Sequence, residues 1–327
     1  MPGRPYRISM PKYLRSKPVL VLTGPTASGK SGLAIRLAQA LQGEIISADS
    51  MQIYQGLDIG TAKLAHSEQG GIVHHLYDIR KPLDRYSVAD FVQDASHLIC
   101  DIADRGRQPI VCGGTGQFVT ALVDGLQFIN EDFDPELRAL LTRHIAHWGT
   151  LPAHERLSSL DPDAGRRIEN TDLKRIVRFF EVYCKTGMTS SEVYHFSREK
   201  GPDFPFVNYV LWPDRQLLYA RIEQRVEDMF SQGIVEELEQ VLALYPDFPH
   251  SQAFQAIAYK EIYSYLQGEE SRDEAIANLA QASRRYAKRQ LTYFRQREDF
   301  LKITEPNPEE AFLKILQDFK VKTLTWG

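Results

Sequence analysis

The chain has 327 residues, 43% hydrophobic and 25% charged, with a formal net charge of -4. That length suits about two domains, or one domain with a large insertion, and the composition is that of a globular fold. The charge argues against indiscriminate coating of nucleic acid while leaving room for a local basic surface, and no apolar run approaches the ~20 residues of a membrane span. Cys100, Cys112 and Cys184 lie far apart without a CxxC pair. They suggest neither a disulfide framework nor a structural zinc site, and a reducing cytosol fits best.

Residues 1–17 carry Arg4, Arg7, Lys12, Arg15 and Lys17 and no acid. The stretch weakly resembles a transit peptide, but it is short and poorly amphipathic, so a disordered basic tail is expected. Residues 19–31 then read VLVLTGPTASGKS, an apolar run ending in GxxxxGK[ST]. The pattern predicts a strand over Val19 to Thr23, a phosphate-binding loop over Gly24, Pro25, Thr26, Ala27, Ser28, Gly29, Lys30 and Ser31, and a helix from Gly32 to Leu41. In such a loop the glycines turn successive N–H groups inward, the helix points its positive end at the anion, Lys30 adds a point charge and the Ser31 hydroxyl is placed to ligate Mg²⁺.

Two further buried strands are predicted, EIISADS at 44–50 and PIVCGGTG at 109–116, with a helix between them over Ala89 to Arg105. The fold class expected is α/β, a P-loop-containing doubly wound parallel sheet with a helical insertion, whose ligands sit at the carboxyl ends of the strands. The loop, Asp49 and the GGTG turn should therefore converge on one crevice. From Asp132 to about Tyr194 strand signals vanish, and Asp134-Pro135 and Asp161-Pro162 punctuate a helical segment. The organisation expected is a tail over 1–17, a core over 18–131 and 195–327, and an insertion over 132–194. A strand near Phe206 to Leu211, a helix capped by Asp214 that sets Arg221 and Arg225 one turn apart, and a long helix over 272–297 complete the core.

Asp49 ends a strand at the height of the loop, where a carboxylate can bind metal through water, take a proton from a nucleophile, or simply cap a turn. Gly113-Gly114-Thr115-Gly116 suits close approach of a ligand or a tight connection. His74 and His75 are adjacent on an extended segment and point to opposite faces, so a structural or substrate-facing role is expected over metal binding. RRYAKRQLTYFRQR over 284–297 has six basic residues and no acid, with Arg284, Arg285, Lys288 and Arg289 on one helical face. Backbone phosphates are its natural partner, a solvated face the plainer alternative. Arg166, Arg167, Lys174, Arg175 and Arg178 form a weaker basic group in the insertion.

These segments resemble the tRNA dimethylallyltransferases, of the bacterial type. The resemblance rests on GPTASGKS, SADSMQIYQGLDIGTAK, HHLYDIRKPLDRYSVADF, GGTGQF, RIENTDLKRIVRFFEVY, RIEQRVEDMF, AIAYKE and RRYAKRQLTYFR, eight collinear motifs over most of the chain. It implies a loop that holds the diphosphate of dimethylallyl diphosphate with Mg²⁺, and transfer to N6 of the adenosine just 3′ of the anticodon in tRNAs reading codons that begin with U. Asp49 would be the base, with Thr26 and Arg225 on the diphosphate and Arg221 beside them. Contacts to tRNA are implied for Asp49, Ser50, Met51, Gln52, Thr115 and Arg138, for Lys174, Arg175, Ile176, Val177 and Arg178, for Gln255 and Lys260, and for Arg284, Arg285, Lys288, Arg289 and Gln290. The insertion would clamp the anticodon loop, in a cytoplasmic, monomeric enzyme.

Departures from the family pattern are small: Gln117 and Phe118 in GGTGQF, Ala258 for a glycine, Ser283 before the basic stripe, and Tyr293 in TYFR. The three scattered cysteines offer no zinc-finger extension like that of eukaryotic relatives, so a bacterial-type enzyme is expected. Three rivals remain. An adenylate isopentenyltransferase would share the loop and Asp49 but have little use for a clamp and a basic stripe; a P-loop kinase or NTPase would turn over nucleotide without RNA; a noncatalytic RNA-binding module would not need the loop, Asp49 and two arginines around one crevice.

Overall fold

A computed structural model describes residues 11–15, 17–129 and 134–325. In chain order the core begins with β1 (Val19–Thr23), α1 (Lys30–Leu41), β2 (Gly43–Ser47), β3 (His74–His75), α2 (Val88–Asp104), β4 (Gln108–Gly113) and α3 (Gly116–Val123). The insertion holds α4 (Pro135–Trp148), α5 (Thr150–Leu160), α6 (Pro162–Arg167), α7 (Leu173–Thr186) and α8 (Ser190–Phe196). The chain returns to the core as β5 (Phe206–Leu211), α9 (Arg215–Gln232), α10 (Ile234–Leu244), α11 (Ile257–Leu266), α12 (Arg272–Arg295), β6 (Phe300–Ile303) and α13 (Pro308–Leu324).

The six strands form one parallel sheet in the order β3-β2-β4-β1-β5-β6. Alternation along β1 shows why it is apolar throughout: Val19 and Val21 pack into a core with α2, α3 and the later helices, and Leu20 and Leu22 into a second core with α1 and α13. A strand buried on both faces reads as a continuous hydrophobic run, and each such fully buried side chain is worth roughly 1.5–3 kcal/mol. Register sets the height of the chemistry. Thr23 pairs with Gly113 on one side and Val210 on the other, and Ser47 pairs with Cys112. The phosphate loop, Asp49 and the GGTG turn therefore leave the sheet at one level of its carboxyl edge.

Helix ends follow local chemistry. Ser87 accepts from the Asp90 N–H while Asp90 accepts from the Ser87 N–H, closing a capping box on α2, and Ser271 and Glu274 do the same for α12. Asp214 caps α9 through the N–H groups of Gln216 and Leu217. In the insertion both Asp-Pro pairs are N-cap followed by first helical residue. Asp161 is 3% exposed and also accepts from the backbone N–H and hydroxyl of Ser191, tying α6 to α8. Ile145, Leu157, Ala164, Ile176, Val177 and Phe179 form the insertion's own core.

Two boundaries move. The compact units are 1–123 with 203–327, and 124–202, so the insertion is wider at both ends than 132–194. Its connecting segments have no helical period, but the Gln127 N–H donates to the Ser197 carbonyl and joins them to each other. The basic tail is also shorter than expected. Arg4 and Arg7 lie outside the described residues, whereas Lys12–Arg15 form a 3₁₀ turn whose Leu14 is buried in the core. A single leucine among cations carried too little periodicity to reveal that anchor.

Candidate active site

The phosphate loop, Asp49, the GGTG turn and Arg225 meet in one crevice of about 260 Å³ whose lining residues all belong to the core. Ala27 (φ 59°) and Gly29 (φ 85°) take the left-handed conformation that turns the loop back on itself, and α1 starts at Lys30. Thr26, Lys30 and Ser31 line the crevice. Gly24, Pro25, Ala27, Ser28 and Gly29 form the loop's frame, with the Ser28 hydroxyl buried and without a hydrogen-bond partner among the described residues.

Gln290 clamps this frame. Its Oε1 accepts from the Thr26 N–H at 2.8 Å and its Nε2 donates to the Gly114 carbonyl at 2.7 Å, so one buried side chain of α12 joins the loop to the GGTG turn. The glycines of that turn are needed for close approach: a Cβ on Gly113 would lie 2.2 Å from the Ala48 carbonyl oxygen, on Gly114 2.5 Å from Gln290, and on Gly116 2.7 Å from the Tyr293 ring. Thr115 accepts from the Ser50 N–H at 3.0 Å. Asp49 Oδ1 accepts from the Met51 N–H at 3.0 Å, which orients the carboxylate; its other oxygen has no hydrogen-bond partner among the described residues.

Charge in the crevice is unbalanced. Burial pushes the Lys30 ammonium below the ordinary lysine range, with Asp49 opposing and Arg225 adding to the effect. Burial lowers Arg225 as well, again opposed by Asp49. Two desolvated cations thus share one nearby carboxylate, an arrangement that gains from an anion. Burial also pushes the Cys112 thiol up to about 11, which keeps it protonated. The crevice also has an aliphatic wall, with Ile222, Val226, Met229, Ile257, Ala258 and Leu279.

A third wall is built by a residue that sequence reasoning passed over. Glu237 of α10 accepts from the consecutive N–H groups of Asp58, Ile59 and Gly60 at 2.8–3.0 Å and from the Tyr259 hydroxyl at 2.7 Å. The hydroxyl end of the Tyr259 ring packs on Gly60, where a Cβ would come within 2.5 Å of it. Gln52 adds two bonds to the Thr61 and Ala62 carbonyls, and Gly60, Thr61 and Ala62 line the crevice. Nothing local marks Glu237, because its backbone partners lie 177 to 179 residues away in the chain and Tyr259 lies 22 away.

Of the other expected residues, Ser50, Met51, Gln52 and Gln255 line the crevice, and Arg221 and Lys260 do not. Gln290 differs from the expected basic stripe: it sits on the opposite, buried face of α12 from the exposed Arg285, Lys288 and Arg289. Arg284 pairs with Glu223 at 2.8 Å. In the insertion Ile176 and Val177 are 0% and 5% exposed, core residues that offer no side chain to a surface partner. Arg138 and Arg178 pair with Glu181, which is buried, while Lys174 and Arg175 are exposed. Of the departures, Phe118 is buried and stacks on Phe91 at 4.5 Å, an environment with no need of a hydroxyl, and the Tyr293 hydroxyl hydrogen-bonds Thr120. Among the described residues no cluster of His, Cys, Asp or Glu could hold a metal by itself, His74 and His75 included.

Sheet and crevice define a P-loop α/β protein. Residues 52–297 match the family described as IPP transferase, and the chain belongs to that family. The match begins just past Asp49, so the phosphate loop stands on its own sequence and geometry. The chain is 41% identical over 306 residues to the tRNA dimethylallyltransferase of Carboxydothermus hydrogenoformans, covering 90% of this chain and 98% of that one. It is 45% identical over 284 residues to the tRNA dimethylallyltransferase of Bacillus pumilus, covering 86% and 88%. Among solved structures, the tRNA isopentenylpyrophosphate transferase of Bacillus halodurans superposes with a TM-score of 0.70 at 35% identity over 95% of this chain and 98% of that one. A eukaryotic dimethylallyltransferase acting on tRNA superposes with a TM-score of 0.78 at 27% identity, over 94% and 80%.

Proposed function

We propose that this chain transfers the dimethylallyl group of dimethylallyl diphosphate to N6 of the adenosine 3′-adjacent to the anticodon, position 37, in tRNAs reading codons that begin with U, releasing diphosphate. The observation that carries the reading is a crevice that combines two buried cations with an aliphatic wall. That combination suits an allylic diphosphate, and the family relationship supplies the acceptor.

The loop N–H groups, Lys30 and Arg225 bind the diphosphate and stabilise the charge that grows on the leaving oxygen as the allylic C–O bond breaks. The aliphatic wall holds the prenyl chain and excludes water, so the carbon meets N6 rather than solvent. N6 is a weak nucleophile because its lone pair is conjugated with the purine. Asp49, aimed by the Met51 N–H, takes the N6 proton as the N–C bond forms. Thr26 adds a side chain at the diphosphate, Gln290 fixes its backbone, and the Tyr286 hydroxyl faces Thr115 and Gln290.

Ser31 and Asp49, which both line the crevice, are the groups that would hold a Mg²⁺ ion, a donor set that fits because Mg²⁺ favours substrate phosphates and water over an all-protein cage. The chemistry such an ion would supply is neutralisation of charge on the departing diphosphate. The exposed Lys174, Arg175, Arg285, Lys288 and Arg289 are available to backbone phosphates of the anticodon stem-loop. A monomer suffices for one anticodon arm, and a cytoplasmic enzyme meets both substrates.

The test is to incubate the protein with Mg²⁺ and labelled dimethylallyl diphosphate, with unmodified tRNA in one tube and AMP in another. Label at the adenosine beside the anticodon is expected. Label in AMP alone would move the chain to the free-nucleotide prenyltransferases, and label in neither would overturn the reading.

A further inference from the structure

A second cleft, of 520 Å³, opens at the same carboxyl edge of the sheet, lined by Trp212, Arg215, Tyr219, Lys288 and Arg295 among others. Trp212 directly follows β5 and Thr304 directly follows β6, so the cleft sits beside the phosphate loop rather than across the molecule. A small cluster of Leu218, Ile222 and Ala287 separates the two sites, with Ala27 of the loop packed on it. Ile222 lines the crevice and Leu218 lines the cleft.

Three cations face this cleft, and Arg215, Lys288 and Arg295 have no carboxylate partner among the described residues. The cleft's one carboxylate, Asp214, is committed to the N–H groups of Gln216 and Leu217. Arg215 is the first residue of α9, where a cation works against the helix dipole, so the helix itself does not account for its charge. Its guanidinium lies 5.1 Å over the Tyr219 ring, and the Lys302 ammonium lies 5.0 Å over Trp212. Unpaired cations interleaved with aromatic faces suit a nucleotide, with its phosphate on the guanidinium groups and its base on a ring. Lys288 also belongs to the exposed basic face of α12, so the cleft continues that face.

Resting on the reaction proposed above, we infer that this cleft is a second tRNA subsite, taking a phosphate-bearing nucleotide of the RNA strand outside the crevice. The subsite adds binding energy for the tRNA without touching the reacting atoms.

The test compares the wild-type protein with Arg215→Gln/Arg295→Gln and Trp212→Phe, all at exposed or half-exposed positions. The double variant is expected to raise KM for tRNA about tenfold near physiological salt and to reduce the slope of log Kd against log salt by about 2, at unchanged kcat and unchanged KM for dimethylallyl diphosphate. Binding of tRNA should quench tryptophan fluorescence in the wild type and less in Trp212→Phe. Unchanged tRNA KM and salt slope would overturn the subsite, as would a rise in donor KM of equal size, which would mean that the cleft acts by propping the phosphate loop. Quenching of Trp212 by AMP alone, with tRNA affinity unaltered in the variants, would make it a free-nucleotide site and overturn the assignment to RNA. Wild-type protein that binds tRNA but never labels it would sink the reaction and leave the subsite standing.

Discussion

Glu237 in the core and Glu181 in the insertion each sit at a structural joint, and they are satisfied in different ways. Glu237 is met by three backbone N–H groups and a tyrosine hydroxyl, all neutral dipoles. Glu181 is met by the guanidinium groups of Arg138 and Arg178. Elsewhere the core also pairs a buried glutamate with basic side chains, Glu44 with Arg105 and His75, but in the crevice Lys30 and Arg225 share Asp49 and favour an incoming anion. In the insertion two arginines that read as RNA contacts already balance Glu181, Arg138 from α4 across to α7 and Arg178 from within α7. Residue type alone does not separate a cation that binds a ligand from one that balances a buried acid.

The largest effect that would sharpen this contrast is at the crevice's one nearby carboxylate. Asp49→Ala should lower turnover by roughly 10² to 10⁴ while tRNA affinity, followed by filter binding, stays within a few-fold; equal turnover would remove Asp49 as the base. Next comes Glu181→Gln, which leaves two guanidinium groups beside a neutral amide and should destabilise the insertion by about 3 kcal/mol, read by limited proteolysis between residues 124 and 202. Burial pushes the Glu181 carboxyl up, but the hydrogen bond and charge of Arg138, followed by those of Arg178, outweigh it and hold the group below its ordinary 4.5. Its contribution is therefore complete above that value and is lost as pH falls below it, so the wild-type insertion should open in acid and Glu181→Gln should show less of that dependence.

Glu237→Gln keeps the size of the side chain but offers an amide where four donors converge. We expect a drop of a few-fold to tenfold in kcat/KM for dimethylallyl diphosphate with a loss of about 1 to 3 kcal/mol in stability; unaltered kinetics would mean that the 58–62 wall does not touch the reaction. The smallest effect concerns Lys30. Its ammonium is held low by burial, and a bound diphosphate restores the charged form, so binding should take up protons and weaken as pH rises through the lowered pKa. Calorimetry of pyrophosphate binding in two buffers of different ionisation enthalpy would detect this, and zero proton uptake would place Lys30 fully charged in the free protein.

Local chemistry made much of the molecule legible. The apolar runs of β1 and β4, the Gly and Lys pattern of the loop, the capping Asp214 and the two Asp-Pro helix starts each act within a few residues, so a sequence records them directly. Asp49 and the GGTG turn were readable for a related reason: parallel strands end at one edge, and residues just past those ends share a crevice.

What the tertiary structure alone decided is pairing across distance. Gln290 reads as one more polar member of a basic stripe until α12 is docked, when its amide faces inward and binds the loop 264 residues earlier. Ile176 and Val177 look like part of an RNA-contact run until α7 turns them into the insertion's core. Glu237 and Arg138 acquire their roles from partners that no helical period or spacing links to them. A sequence states which residues can hold charge or donate a hydrogen bond, whereas burial decides which of them must be satisfied inside the fold and which stay free for a ligand.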